Sequence, residues 1–288
     1  MGPALAIVAA VFFALGTVLQ QKGTLGTEAP EGDPHFLLQI LRRPVWLAGA
    51  VLMASGWILQ AMALDRASLL VVQSLTALSL VVALPLGALL TDQHIGRREL
   101  GGALLTSLGI IFFIAAGQPQ GGTSHPSATS WWIASVSIGV LVVVLVGVGA
   151  RFRGSARALT YGAAAGLGFG LQAAVTKTFV TEVGSGILAL LSSWSVWVLI
   201  LSALTGFALQ QAALKTGVLA PAMASANSVT LFTSVVLGIT VYGERVSKGG
   251  AGHSSSAFLG LIVAILGIAL LAGSGAPQPS APSPSPAT

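Results

Sequence analysis

Cysteine is missing from the sequence altogether, so disulfides, thiolate metal sites and cysteine nucleophiles are excluded together, while the compartment is left open. Charge is nearly as scarce. Only 7% of the 288 residues are Asp, Glu, Lys or Arg, against roughly a quarter in soluble domains. The net charge of +5 forms no soluble basic patch, so nucleic acid is not an expected partner. Acidic side chains at membrane depth are also wanting: Asp65, Asp92, Glu99, Glu182 and Glu244 stand at the ends of apolar runs, and Glu28, Glu31 and Asp33 share a polar loop. An intramembrane hydrolase needs a nucleophile with a base, or paired carboxylates, at depth. None is visible, and no enzyme activity is expected. The phosphate-loop and dinucleotide fingerprints are absent too, because Gly162, Gly166 and Gly170 lie inside an apolar helical run and not after a strand. His35, His94, His125 and His253 all read as loop residues without ligand spacing, so neither a metal site nor a cofactor is expected. Without an ATP-hydrolysing module, any uphill transport draws on an ion or substrate gradient.

What the chain has is apolar length. Hydrophobic residues make up 54% of it, and the mean hydropathy is +0.89. Charges bound apolar runs of about 17 to 28 residues, each enough to cross a hydrocarbon core about 30 Å thick. About nine spans result, near residues 3–20, 45–64, 68–90, 100–116, 131–149, 159–180, 187–214, 218–241 and 257–272. The first is read as a retained span, since no basic residue precedes it and no small-residue cleavage site bounds it. Residues 35–40 are too short to cross and suit the interface. The fifth span is nearly all aliphatic, a spacer facing lipid, and the proline- and serine-rich tail reads as disordered.

An echo organises these spans. Trp57-Ile-Leu-Gln60-Ala-Met-Ala-Leu64 is answered by Phe207-Ala-Leu-Gln210-Gln-Ala-Ala-Leu214, and residues 86–95 by 237–246 after a slip of one. Gly260 and Gly267 of the ninth span pair with Gly102 and Gly109 of the fourth, and Lys177 answers Lys22. The expected fold is therefore an all-α polytopic membrane protein built as a 4+1+4 inverted repeat. Residues 1–117 form the first copy, 118–150 a linker with the fifth span, 151–273 the second copy, and 274–288 the tail. An odd number of spans before the second copy turns it over in the bilayer. With the amino terminus outside and the carboxyl terminus inside, nine basic residues fall on inner loops and four on outer ones, which sets the expected orientation. The location is the cell membrane, of a bacterium by the expected origin.

Polar side chains within the spans are the candidates for a substrate site. Gln60 and Gln210 lead, because an amide at membrane depth must find hydrogen-bond partners, and in a carrier these include substrate groups near the midplane. The plainer alternative is that each amide ties one helix to the next. Gln73, Ser74 and Thr76 in the third span face Ser225, Asn227 and Ser228 in the eighth as two clusters that could line one cavity, although serine and threonine often bond their own helix carbonyls. Pro221 interrupts the eighth span in this reading and loosens it above Asn227. Gln20 and Gln172 complete the set. Lys22 and Lys177 are expected to snorkel to the interface, and Glu244-Arg245 to form a local charge pair or anchor.

On these residues the chain resembles the drug/metabolite transporter (DMT) superfamily, EamA-related, and within it the nine-span NIPA-like magnesium transporters. The resemblance rests on the small-residue first span ending Gln21-Lys22-Gly23, the turn Ala63-Leu64-Asp65-Arg66-Ala67, Gly243-Glu244-Arg245 after the eighth span, and the glycine-led fourth and ninth spans. The Gly-Glu-Arg element is present in one copy only, its counterpart being Asp92-Gln93-His94. Such a resemblance implies a secondary transporter moving a small metabolite or drug-like solute by alternating access. Two alternatives stay open: a magnesium or other cation transporter, and a non-transporting membrane scaffold. A hard divalent cation prefers oxygen donors that include carboxylates, which the spans lack at depth. The expected partners are the lipid bilayer and a small-molecule or ion substrate, and the reading leaves room for a homodimer.

Overall fold

A computed structural model of the chain describes residues 1–25, 41–91, 96–117, 120–123, 126–183, 191–216, 219–246 and 251–272. Its helices are α1 (Gly2–Leu25), α2 (Pro44–Leu64), α3 (Leu69–Thr76), α4 (Ser79–Thr91), α5 (Arg97–Gly117), α6 (Ala128–Gly149), α7 (Gly154–Glu182), α8 (Trp194–Leu214), α9 (Leu219–Thr240) and α10 (Ala251–Ala272). Two short strands, β1 (Gln120–Gly121) and β2 (Glu244–Arg245), pair antiparallel. The expected interfacial piece at 35–40, the loop around Asp92 to His94, His125 and the tail lie outside the described residues.

Seven of the described helical spans are long and apolar enough to cross a membrane, and Gly101–Gly117 and Ser255–Leu270 are shorter apolar helices. Apart from the strand pair the regular structure among the described residues is helical, and the chain is a multi-pass membrane protein. In lipid a backbone must satisfy its own hydrogen bonds, which helices do within one segment. Their ends are closed locally. Ser68, Ser127 and Ser193 accept from the first-turn amides of Val71, Ser130 and Ser195, and Pro44 opens α2 where a missing N–H costs nothing.

One expected span is in fact two helices. The third breaks at Ala77-Leu78, where Leu78 and Leu80 donate to carbonyls three residues back, and Thr76 Oγ1 donates to the Gln73 carbonyl at 3.1 Å. Shifting the ladder from four to three residues tightens the turn and separates α3 from α4. Pro221, by contrast, interrupts nothing. It stands in the first turn of α9, where helix geometry tolerates its missing donor.

Packing follows the small residues. α1 pairs with α2, α7 with both α8 and α9, and α5 with α10. A Cβ on Gly49 would lie 2.7 Å from the Gly16 carbonyl oxygen, and one on Gly109 would lie 2.3 Å from the Ala264 nitrogen. Each helix pair therefore meets backbone to backbone, a contact only glycine admits. Gly162, Gly166 and Gly170 of α7 turn the same way onto α9, and Gly168 meets Gly206 of α8. α6 packs chiefly on α7 and exposes Trp132, Ile133 and Val143 along its length, a surface that lipid covers.

The turns sort to two ends. At one, Gly2 abuts Arg66-Ala67, Glu244 reaches Leu69 and Leu70, Thr123 donates to the Tyr242 carbonyl, and Trp131 stacks near Trp194 and Tyr242. At the other, Gly23 meets Trp46, Gly149 meets Tyr161, and Gln211 reaches Gln20. These are the Glu244 end and the Gln211 end below.

Candidate functional site

Between the ends lies a cavity of about 90 Å³ lined from α1, α2, α3, α4, α7, α8 and α9. Of the residues singled out in the sequence, Gln60, Gln73, Thr76, Gln172, Gln210 and Asn227 line it together. The remaining walls are Phe13, Thr17, Met53, Trp57, Ala77, Ser79, Phe169, Phe207, Met223, Ala226, Thr230 and Leu231. No lining side chain is ionisable. The amides supply paired donors and acceptors and the four aromatic rings supply flat apolar walls, so the surface suits an uncharged polar solute.

Many lining residues fall into pairs that the sequence echo predicts. Trp57 corresponds to Phe207, Gln60 to Gln210, Thr76 to Asn227 and Ser79 to Thr230. Helix direction places them at different depths. Gln60 stands one turn before the end of α2 at the Glu244 end, and Gln210 one turn before the end of α8 at the Gln211 end. The cavity therefore runs along the helix axes. Gln73 is 2% exposed, and its Nε2 is buried without a hydrogen-bond partner. An orphaned amide donor in the wall of a cavity is costly unless something inside accepts from it.

Four of the candidates are elsewhere. Gln20 is fully buried and its Oε1 accepts from Gln211 Nε2 at 3.2 Å. It is an interhelical tie between α1 and α8 and does not line the cavity. Ser74 is fully buried and its Oγ has no partner; one residue beyond Gln73, it points away from the cavity by the pitch of α3. Ser225 Oγ donates to the Pro221 and Ala222 carbonyls at 2.9 and 3.1 Å, the back-bonding habit of a helical serine. Ser228 sits beside Asn227 on α9 but does not line the cavity.

Residues that sequence reasoning passed over include Thr17, Ser79 and Thr230 and the rings of Phe13 and Phe169. Ser79 and Thr230 are each other's counterparts in the echo, so neither could point to the other. Nothing in the sequence distinguishes Phe13 from the adjacent Phe12.

The charged residues at the Glu244 end correct two expectations. Lys22 is exposed, as snorkelling requires, but Lys177 turns inward instead: its Nζ pairs with Glu244 Oε1 at 2.5 Å and lies 4.9 Å from the centre of the Tyr242 ring. Glu244 is 2% exposed and does not pair with its neighbour Arg245, which faces out. Instead its carboxylate accepts from the Leu69 and Leu70 amides at 2.7 and 3.0 Å. Gly243, at φ +64°, turns the chain out of α9 and aims Glu244 inward, a conformation glycine adopts without strain. Tyr242 OH donates to the Ala174 carbonyl at 2.6 Å and meets Thr178 Oγ1 at 2.7 Å. Burial, with the Glu244 charge adding to it, pushes the phenol above its ordinary value, so it remains a neutral donor.

An uncharacterized protein of Corynebacterium glutamicum is 33% identical to this chain over 247 residues, covering 83% of the chain and 84% of its own length. No family model matches the chain, and no solved structure matches it.

Proposed function

The chain belongs to one family with that uncharacterized corynebacterial protein, and from this premise and the cavity we propose that it is a secondary carrier of a small uncharged polar solute. The carrier works by alternating access in a 4+1+4 inverted repeat of the drug/metabolite transporter kind. One observation carries the reading: amides from both halves of the sequence echo, Gln60 and Gln210 foremost, meet in a single cavity free of ionisable side chains. The pairing of α1 with α2 and of α7 with α8 supports the duplicated architecture, as does the gathering of alternate turns at opposite ends. Discontinuous helices beside a midplane site are a recurrent carrier feature, and the α3/α4 break supports the reading further, since Ala77 lines the cavity.

A cavity of 90 Å³ has room for about three waters and falls short of the ~150 Å³ that accepts a benzene ring. In this conformation the cavity is only partly enclosed, Gln210 and Asn227 in its wall being partly exposed. The cation alternative lacks a donor set, because the wall offers amide and hydroxyl oxygens but no carboxylate, where divalent sites usually carry one or two.

Flux into proteoliposomes tests the reading with a panel of labelled polyols, small amides and nucleobases, and with Mg²⁺ as the contrasting probe. Saturable flux of a neutral solute is expected, reduced roughly tenfold or more in Gln60→Ala and Gln210→Ala, as loss of one buried hydrogen bond implies. Unchanged flux in both variants rejects the site. Saturable Mg²⁺ flux with no neutral solute carried rejects the substrate class.

A further inference from the structure

The matched cavity residues are not equally covered. Gln60 and Thr76, toward the Glu244 end, are buried, whereas their counterparts Gln210 and Asn227, toward the other end, are each partly exposed. Above Gln60 and Gln73, fully buried Leu64 and Leu69 close the bundle. Beyond them sits the only buried carboxylate among the described residues, Glu244.

That carboxylate holds three elements at once. Through Lys177 it binds α7; through the Leu69 and Leu70 amides it caps α3; and its own backbone pairs with Gly121 of β1. A Cβ on Gly122, which has φ +100°, would lie 2.9 Å from Glu244 Cγ, so the β1 segment lies directly over the side chain. α3 is eight residues long, is capped by Glu244 at its first turn, carries Gln73 and Thr76 of the cavity in its last, and ends at the helix break. α3 is thus a short helix fixed by a charge at one end and set off from α4 by the Ala77-Leu78 break at the other.

We propose that the Lys177–Glu244 pair is the latch that keeps the cavity closed at this end, and that Glu244 positions Gln73 and Thr76 by capping α3. The assignment rests on the carrier reading and extends it. Closure is electrostatic: the carboxylate meets an ammonium and two N–H groups at the positive end of the helix. Opening requires these bonds to part together, which swings α3 about Ala77-Leu78 and takes Leu69 out of the plug.

The absence of cysteine permits a direct test. A single Thr76→Cys reporter, in right-side-out and in inverted vesicles, is labelled with a membrane-impermeant maleimide. Labelling from the Glu244 side is expected to be slow and to rise at least tenfold when Glu244→Gln is added, with the rate from the other side unchanged. Lys177→Arg should keep labelling slow, because the charge and its reach survive. Hydrogen exchange supplies a second readout: in Glu244→Gln, peptides covering residues 66–76 should lose at least tenfold protection while those of α7 and α9 keep theirs. A labelling rate indifferent to Glu244→Gln, or protection lost evenly across the chain, overturns the latch and leaves the carrier reading standing. No labelling of Thr76→Cys from either side in any variant overturns both, since the cavity is then not reached from water.

Discussion

At one end of the bundle a buried carboxylate joins α3, α7 and β1, while at the other two amides, Gln20 and Gln211, join α1 to α8. The ends are related by the sequence echo, yet they are closed by different chemistry. Where the second half has Glu244 the first has Gln93, and Pro221 in the first turn of α9 has no N–H to offer a cap. The amide end is also imperfectly satisfied, with Gln20 Nε2 and Gln211 Oε1 buried and unpartnered. The sequence echo thus extends to the cavity pairs but not to the contacts at the two ends. Removing one partner of a buried ion pair strands an uncompensated charge and costs more than losing one neutral hydrogen bond, so on the latch proposal the Glu244 end is the firm closure and the Gln211 end the yielding one.

The widest gap between the ends should appear when one charge is removed. Lys177→Ala leaves Glu244 buried without its cation and is expected to cost about 3–5 kcal/mol, read by thermal unfolding in detergent; a cost as small as that of a neutral truncation would erase the contrast. At the amide end the larger lever is steric. Gly49→Ala places a methyl carbon 2.8 Å from the Gln20 nitrogen and 2.7 Å from the Gly16 oxygen, which forces α1 from α2 at a cost of up to about 3 kcal/mol.

Tyr242→Phe loses the bonds to Ala174 and Thr178, worth about 1–2 kcal/mol in all. It also changes the response to alkali. The folded phenol ionises above the ordinary value of 10.0, so from pH 10 upward the unfolded chain gives up its proton first and stability falls as pH rises. The phenylalanine variant should lose that part of the alkaline decline, and an identical decline in both proteins would contradict the burial argument.

The smallest effect belongs to the amide pair. Gln20→Leu should cost about 1 kcal/mol, because it orphans Gln211 Nε2 while discarding an unpartnered Nε2 of its own. The double variant with Gln211→Leu removes both orphans and should be near neutral. A double variant as damaging as Lys177→Ala would show that the yielding end is not yielding.

Much of this was legible in advance, for a physical reason in each case. Apolar length and the cost of an unpaired backbone in lipid mark the helices, and α2, expected near 45–64, is observed at Pro44–Leu64. Gly162, Gly166 and Gly170 recur at intervals of four along α7, a spacing that puts them on one helix face, and the structure seats all three on α9. The break in the third span was not readable, since Gln73-Ser-Leu-Thr-Ala-Leu-Ser79 looks like unbroken helix until tertiary contacts act on it. Gln20 misled for a related cause: amides in adjoining turns of an apolar helix look alike, and only their direction separates a tie from a cavity wall.

By itself the chain of residues determined what local chemistry can settle: apolar segments of spanning length, small residues where helices meet, and an echo that makes Gln60 and Gln210 counterparts. The tertiary structure alone decided which polar groups converge, because convergence depends on helix rotation and depth and not on composition. It also made Lys177 and Glu244 partners across 67 positions of sequence. No local pattern encodes that pairing; a glycine turn aiming a carboxylate inward and a neighbouring helix supplying its cation produce it together.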